Sequence, residues 1–468
     1  MEQRNRILNN MDKKRKSDNF SDEIILKKPE NNIKNNIKID IINLLDEIMN
    51  GKYSNIQLNY YFKTKSYLKK EKTFITNIIN VTLKNLIYID YLISQTVKNI
   101  QKRKIRQLLR ISVAQLFFTG TDSAGVIYEA VEIAKIINKH QSGFVNATLQ
   151  AILKNKDDIT EKIPLDKKDG IIYSYPQWLV NKLKTDYPEN YVDIMKSYKT
   201  RSYLSVRYNK KKLSKDKFEK ILSEIKSEIL FYVDNVYYLS NSNIFETEEY
   251  KKGNIVIQDL SSYLAVKNLD IKEDDTVLDA CAAPGGKSLA ILQDFNPKLL
   301  IATDIYEHKV KLLEDIKVNY GFSNFEVYKN DATKIENLNM KFDKILLDVP
   351  CSGLGVLRKK PEKIYDLTSE KIKELKKLQK KIFDSAYGSL KENGVILYST
   401  CTFSINENTN NLKYFLEKYS DLSVEEIIIP ENIDTQKDEF GGIYITHKNV
   451  YNDGFYIAKL RKMSNNLQ

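Results

Sequence analysis

The chain has little cysteine, little histidine and no long apolar run. Its three cysteines among 468 residues, Cys281, Cys351 and Cys401, stand far apart and form no CxxC pair. Neither a disulfide framework nor a zinc site can therefore be read, and a reducing cytosol follows. No apolar stretch approaches the roughly 20 residues needed to cross a bilayer, and the N-terminus lacks the apolar core of a signal peptide. A cytoplasmic protein with no membrane partner and no metal is expected. His308 and His447 lie outside every motif, so no catalytic role is assigned to them. Two missing glycine patterns matter most. A Walker A loop needs glycine, four residues, then Gly-Lys-Ser/Thr, and Cys281 stands where the first glycine before Gly286-Lys287-Ser288 belongs. The dinucleotide pattern Gly-x-Gly-x-x-Gly is absent as well.

What is present is basic. A net charge of +12 favours an anionic partner, nucleic acid first, although Lys, Asn, Ile and Tyr saturate the whole chain. The length implies two or three domains. Residues 1–36 read as a polar, basic, disordered tail containing Lys13-Lys-Arg-Lys16. Residues 37–157 carry only helical periodicity, with Ile37, Ile41, Leu44, Leu45 and Ile48 on one face and Ile105, Leu108, Leu109, Val113, Leu116 and Phe117 on another. An all-α domain is expected there. On its Lys102 helix, Arg103, Arg106 and Arg110 fall opposite the apolar stripe, where they either track phosphates or form a solvated face. Residues 158–253 read as a small α+β linker domain with strands near 203–208, 229–233 and 236–239. From 254 to 468 strands alternate with helices, which predicts a Rossmann-like parallel sheet wrapped by helices.

Asp279-Ala-Cys-Ala-Ala-Pro-Gly-Gly-Lys-Ser288 organises that last domain. A strand that turns through paired glycines into a helix N-terminus is a small-molecule cradle. With the phosphate patterns excluded, an adenosyl ligand fits best. Asp304 closes the next strand, where a carboxylate can accept both ribose hydroxyls, and Asp331 follows the third, placed for the adenine edge. Asp348-Val-Pro-Cys351-Ser-Gly and Ser399-Thr-Cys401-Thr402 follow the fourth and fifth strands. Two thiols at adjacent strand ends should converge on one pocket, whereas Cys281 reads as packing within the glycine loop.

These segments, with Gln258-Asp-Leu-Ser-Ser262, Arg358-Lys-Lys-Pro-Glu362, Glu407-Asn408 and Asp453–Lys462, resemble the Sun/RsmB family of 16S rRNA (cytosine-C5)-methyltransferases. The helices containing Gly143-Phe-Val-Asn-Ala147 resemble that family's NusB-like RNA-binding domain. The resemblance spans roughly residues 38–462. It departs at Ser288, Lys359 and Thr409, where threonine, arginine and an acid are commoner, and in lacking a proline before Asp453. It implies S-adenosyl-L-methionine as cofactor, bound by residues 281–287 (Cys281, Ala282, Ala283, Pro284, Gly285, Gly286, Lys287) with Asp304, Asp331 and Asp348. It further implies Cys401 as nucleophile, Cys351 as the group assisting release, Asp348 on the base edge and Lys287 beside base or substrate. The expected partner is RNA, 16S rRNA or a small-subunit precursor, and the expected state a monomer. The alternatives are the same chemistry on tRNA or another rRNA, a catalytically silent rRNA-binding assembly factor, and a P-loop-like nucleotidase, which the missing glycine disfavours.

Overall fold

The computed structural model describes residues 36–100 and 102–464. The tail expected over residues 1–36 lies, apart from Asn36, outside the described residues. From Ile39 onward the chain forms one compact unit.

The N-terminal part is all helix: α1 Ile37–Ile48, α2 Ser54–Thr64, α3 Lys69–Lys84, α4 Leu86–Thr96, α5 Arg103–Phe118, α6 Ser123–Asn138 and α7 Ser142–Glu161. Helix α5 is buried without a break from Gln107 to Leu116. A helix covered all round is a bundle core, not an amphipathic surface element. That corrects the expectation for its arginines. Arg110 is buried and clamps Asp90 of α4 through Nε–Oδ1 at 2.7 Å and Nη2–Oδ2 at 2.6 Å, while Nη1 donates to Gln107 Oε1 at 3.0 Å. Arg103 engages Asp46, and Arg106 donates to the Ile100 carbonyl at 3.1 Å. Arg103 and Arg106 stay exposed on the first turns, but each is engaged and Arg110 is buried, so the row of three free cations does not exist.

Helices α8 Gln177–Asp186 and α9 Tyr191–Ser197 lead into a small antiparallel sheet of order β2-β3-β1-β4. Its strands are β1 Leu204–Tyr208, β2 Ile229–Val233, β3 Val236–Leu239 and β4 Ile255–Ile257, with α10 Lys215–Glu224 packed on them. Because β4 pairs with β1, this sheet takes a segment that the sequence reading grouped with the last domain. Arg207 on β1 is wholly buried and ties the small sheet to the C-terminal part of the chain. Its guanidinium donates to Gln258 Oε1 at 2.5 Å, Gln293 Oε1 at 2.7 Å and Asp294 Oδ1 at 3.3 Å. A buried guanidinium needs such acceptors because an unpaired buried charge is costly.

The C-terminal sheet has nine strands in the order β11-β12-β13-β9-β8-β5-β6-β7, with β10 pairing β13 beyond β12. The strands are β5 Thr276–Asp279, β6 Leu299–Asp304, β7 Phe325–Lys329, β8 Phe342–Asp348, β9 Leu390–Thr400, β10 Leu422–Glu425, β11 Thr435–Lys437, β12 Ile443–Ile445 and β13 Phe455–Lys462. Strands β5 to β9 pair in parallel, and β13 runs antiparallel to β9. Helices α11 Leu260–Lys267, α12 Gly286–Asp294, α13 Glu307–Tyr320, α14 Ser369–Ser389 and α15 Thr409–Lys418 connect and flank them. Strands β5 and β8 are neighbours, yet the chain leaves them in opposite directions across the sheet. That is the switch point where ligands bind in open α/β sheets. The β10–β12 elements escape sequence reading because each is only three or four residues long, too short to show alternation. Among the described residues no helix is long and apolar enough to cross a membrane.

Candidate active site

Asp279 ends β5, and the following turn enters α12 through Gly285, whose φ of +102° lies in the left-handed region. A Cβ there would also meet Ile316 Cδ1 at 2.3 Å, so backbone strain and close packing both demand glycine. At Gly286, by contrast, nothing lies within 4 Å of a built Cβ, because the helix N-terminus opens onto a cleft of about 500 Å³. Cys281, Ala282, Ala283, Pro284, Gly286, Lys287 and Asp348 line it. Its floor includes Asp279, whose Oδ2 accepts from Ser288 Oγ at 2.7 Å while buried Oδ1 has no partner. Burial pushes this carboxyl up to about 7. A lone buried acceptor facing a cleft suits a ligand that brings a donor or a positive charge, as S-adenosylmethionine does with its ammonium and sulfonium groups. Sequence reasoning treated Asp279 only as the start of the motif; its position at the end of β5 was the available signal.

Asp304 and Asp331 stand at the ends of the next two strands, outside the residues that line this cleft. Asp304 accepts from the Tyr306 amide at 3.1 Å and from Lys309 Nζ at 3.3 Å. Asp331 caps the next helical turn, with Oδ1 taking both the amide and the hydroxyl of Thr333. Each carboxylate is thus held in one orientation by its own loop.

Lys287 and Asp348 meet across the switch point at 2.6 Å, and Lys287 Nζ also reaches Ser262 Oγ at 3.3 Å. Burial works against the ammonium, but Asp348 outweighs it and holds Lys287 above the usual lysine range. Asp348 Oδ1 accepts from Ser399 Oγ at 3.1 Å, joining the ends of β8 and β9.

The two thiols meet. Cys351 Sγ lies 3.3 Å from Cys401 Sγ. The shared hydrogen bond raises Cys351 above the ordinary thiol range and lowers Cys401 below it, with Lys363 and Lys287 adding to the second effect against burial and Asp348. By geometry either sulfur can donate; the opposite directions of the two shifts favour Cys351 as the donor. Burial and the surrounding Asp279, Asp348 and Asp304 push Cys281 far upward, as suits a packing residue. The expected result is selective alkylation. Iodoacetamide should modify Cys401 with a midpoint below the ~8.5 of a free thiol. The midpoint should move upward in Cys351→Ala, where the donor is gone; peptide mapping across pH reads both.

Glu407 fixes this pair, and its role was invisible in the sequence. Wholly buried, it accepts from the Ser352 amide at 2.9 Å and the Ser352 hydroxyl at 2.6 Å, while Ser352 Oγ also meets Thr402 Oγ1 at 2.8 Å. The loop of Cys351 is thereby braced against the loop of Cys401. Gly355 adds a second brace, since its amide donates to the Cys401 carbonyl at 2.9 Å and a built Cβ would sit 2.0 Å from the Gly454 oxygen. Where the chain departs from its family pattern, Lys359 bridges Asp259 at 2.7 Å and Asp453 at 2.9 Å, and Thr409 Oγ1 donates to Asp438 at 2.9 Å. Among the described residues no group of three or more His, Cys, Asp or Glu side chains is arranged to hold a metal.

Comparison with known proteins gives three family matches: 16S rRNA methyltransferase RsmB/F over residues 266–461, the NusB family over 36–154, and the RsmF/B-like ferredoxin-like domain over 175–229. The chain is 31% identical over 431 residues to the probable ribosomal RNA small subunit methyltransferase B of Bacillus subtilis (strain 168), covering 88% of this chain and 95% of that one. It is 30% identical over 370 residues to ribosomal RNA small subunit methyltransferase B of Shewanella oneidensis, covering 77% and 83%. Among solved structures, PH0851 is similar with a TM-score of 0.75 at 23% identity over 92% of this chain and 100% of that one. NSun6 from Pyrococcus horikoshii, crystallised with SFG, is similar with a TM-score of 0.56 at 23% identity over 63% and 100%. The structural likenesses speak for the fold.

Proposed function

Because the chain belongs to the RsmB/F family of 16S rRNA methyltransferases, with S-adenosylmethionine as methyl donor, we propose that it methylates carbon 5 of one cytosine in small-subunit rRNA through a covalent bond from Cys401. The observation that carries this reading is the pair of sulfurs 3.3 Å apart at neighbouring strand ends, shifted in opposite directions.

Carbon 5 of cytosine is a poor nucleophile until a group adds at carbon 6. The Cys401 thiolate adds there, and the ring electrons it displaces make carbon 5 enamine-like. The base must leave any stack to reach the thiolate, at a cost of a few kcal/mol. Asp348, oriented by Lys287 and Ser399, accepts from the N4 amino group, and the Lys287 ammonium beside it offsets the negative charge that the attack drives toward N3. When bound, S-adenosylmethionine supplies an electrophilic methyl group. The Ala282–Gly286 turn and Asp279 Oδ1 would hold its methionine end, with Cys281 packing beneath, while Asp304 would take the ribose hydroxyls and Asp331 the adenine edge. For release a base, water entering the open cleft, takes the proton from carbon 5; the C–H electron pair re-forms the ring double bond and the bond from carbon 6 to the Cys401 sulfur breaks. The Cys351 S–H, already aimed at that sulfur, stabilises it as it leaves.

Bisulfite sequencing of small-subunit rRNA from cells with and without this chain tests the reading. One cytosine should resist deamination only when the chain is present. An identical pattern in both would defeat it.

A further inference from the structure

A second cleft, of about 490 Å³, opens on Cys351, whose sulfur lies 3.3 Å from that of Cys401; Lys363, Lys371, Asp366 and Glu374 also line it, together with Tyr53 from the helical domain. Tyr53 and Lys363 owe their meeting to one interdomain contact. Ser54 donates its amide at 3.1 Å and its hydroxyl at 2.9 Å to buried Glu362 Oε1. Each of these two residues adjoins one of the pair in sequence, so the bond fixes Tyr53 and Lys363 at the same rim. A second tie, from the Tyr365 hydroxyl to the Leu83 carbonyl, holds the same loop against α3.

The Lys363 ammonium has no hydrogen-bond or ion-pair partner among the described residues. It lies against Gly353, two residues past Cys351, where a built Cβ would come within 2.2 Å of Nζ. Lys371 instead donates to the Asp366 carbonyl at 2.5 Å, so its ammonium is partly engaged. Asp366 and Glu374 offset some of the charge, but α14 beside them also carries Lys373, Lys376, Lys377, Lys380 and Lys381. Tyr53, an aromatic residue in the cleft lining, is 52% exposed. An unpaired ammonium beside an exposed ring, at the mouth of a cleft leading to a nucleophile, is the chemistry of single-stranded nucleic-acid binding.

Resting on the methyltransferase reading above, we propose that this cleft seats the rRNA strand flanking the target cytosine, with Lys363 on a phosphodiester and Tyr53 stacked on a neighbouring base. The helical domain then contributes directly to substrate binding at the catalytic centre.

The test is equilibrium binding of unmodified, in vitro transcribed 16S rRNA to the full chain across a range of KCl. Lys363→Ala should weaken binding and flatten the slope of log K against log[KCl] by about 0.7, the loss of one single-strand phosphate contact. Lys363→Arg should restore the slope. Tyr53→Ala should weaken binding about tenfold with the slope unchanged, and Tyr53→Phe should retain it. If Lys363→Ala keeps the wild-type affinity and slope while shifting only the alkylation midpoint of Cys401, Lys363 serves the thiol and the proposal is overturned. Wild-type binding by Tyr53→Ala removes the stacking half. A wild-type chain that transfers no methyl group to rRNA would defeat the methyltransferase reading itself, an outcome these binding data do not share.

Discussion

Cys401→Ala should abolish methyl transfer to rRNA, by on the order of 10⁴-fold or more, and leave S-adenosylmethionine affinity within about twofold of the wild type. The size follows from the role: without the sulfur, carbon 5 is never activated, and no neighbouring group can substitute. The specificity follows from placement. Cys401 sits at the end of β9, whereas the glycine turn and Asp279 lie across β8 at the end of β5, and Cys401 is absent from the cleft lining around them. Tritiated-methyl transfer and calorimetric titration of the cofactor separate the two quantities. Retained turnover would remove Cys401 as nucleophile, and lost cofactor binding would mean that the substitution had collapsed the site. Cys401→Ser sharpens the test, because a hydroxyl keeps the shape but is far harder to ionise than a thiol.

Cys351→Ala gives the opposite picture. It forms the bond to RNA and fails to break it, so turnover falls by about 10²–10⁴-fold, the usual worth of a positioned proton donor, while a covalent complex accumulates. On a denaturing gel labelled rRNA should migrate as a slow, protease-sensitive species. The same substitution raises the Cys401 thiol, since the hydrogen bond from Cys351 is the largest influence lowering it. The thiolate population therefore falls at neutral pH, and adduct formation should quicken as pH rises through the new midpoint. Free RNA with wild-type turnover would show that release needs no help from this residue. Free RNA with no turnover would assign Cys351 to the attack instead.

Much of the site could be read along the chain because its parts are local. Asp279, the glycine turn, Asp304, Asp331 and Asp348 each end a strand or begin a helix, and hydrophobic periodicity locates strand ends without knowledge of the fold. The sulfur pair was inferable from the same rule, as both cysteines follow parallel strands. Arg110 of α5 was misjudged for a related reason. Helical periodicity reports which face is apolar, but it cannot say that the opposite face is also covered, as Asp90 and Gln107 cover Arg110. The roles of Glu407 and Gly355 escaped because their partners, Ser352 and the Cys401 carbonyl, are distant in sequence.

By itself, then, the sequence determined the fold class, the glycine turn after a strand and the placement of two cysteines at strand ends, since each is written in a short segment with a fixed relation to one strand or helix. Only the tertiary structure brought the two sulfurs within 3.3 Å of each other and gathered lysines and carboxylates around them, which sets their opposite shifts. It alone also brought Tyr53 of the helical domain to the catalytic rim, through a hydrogen bond between Ser54 and Glu362 that spans 308 positions of chain. Contacts of that kind are fixed by packing in three dimensions, and no periodicity along one dimension encodes them.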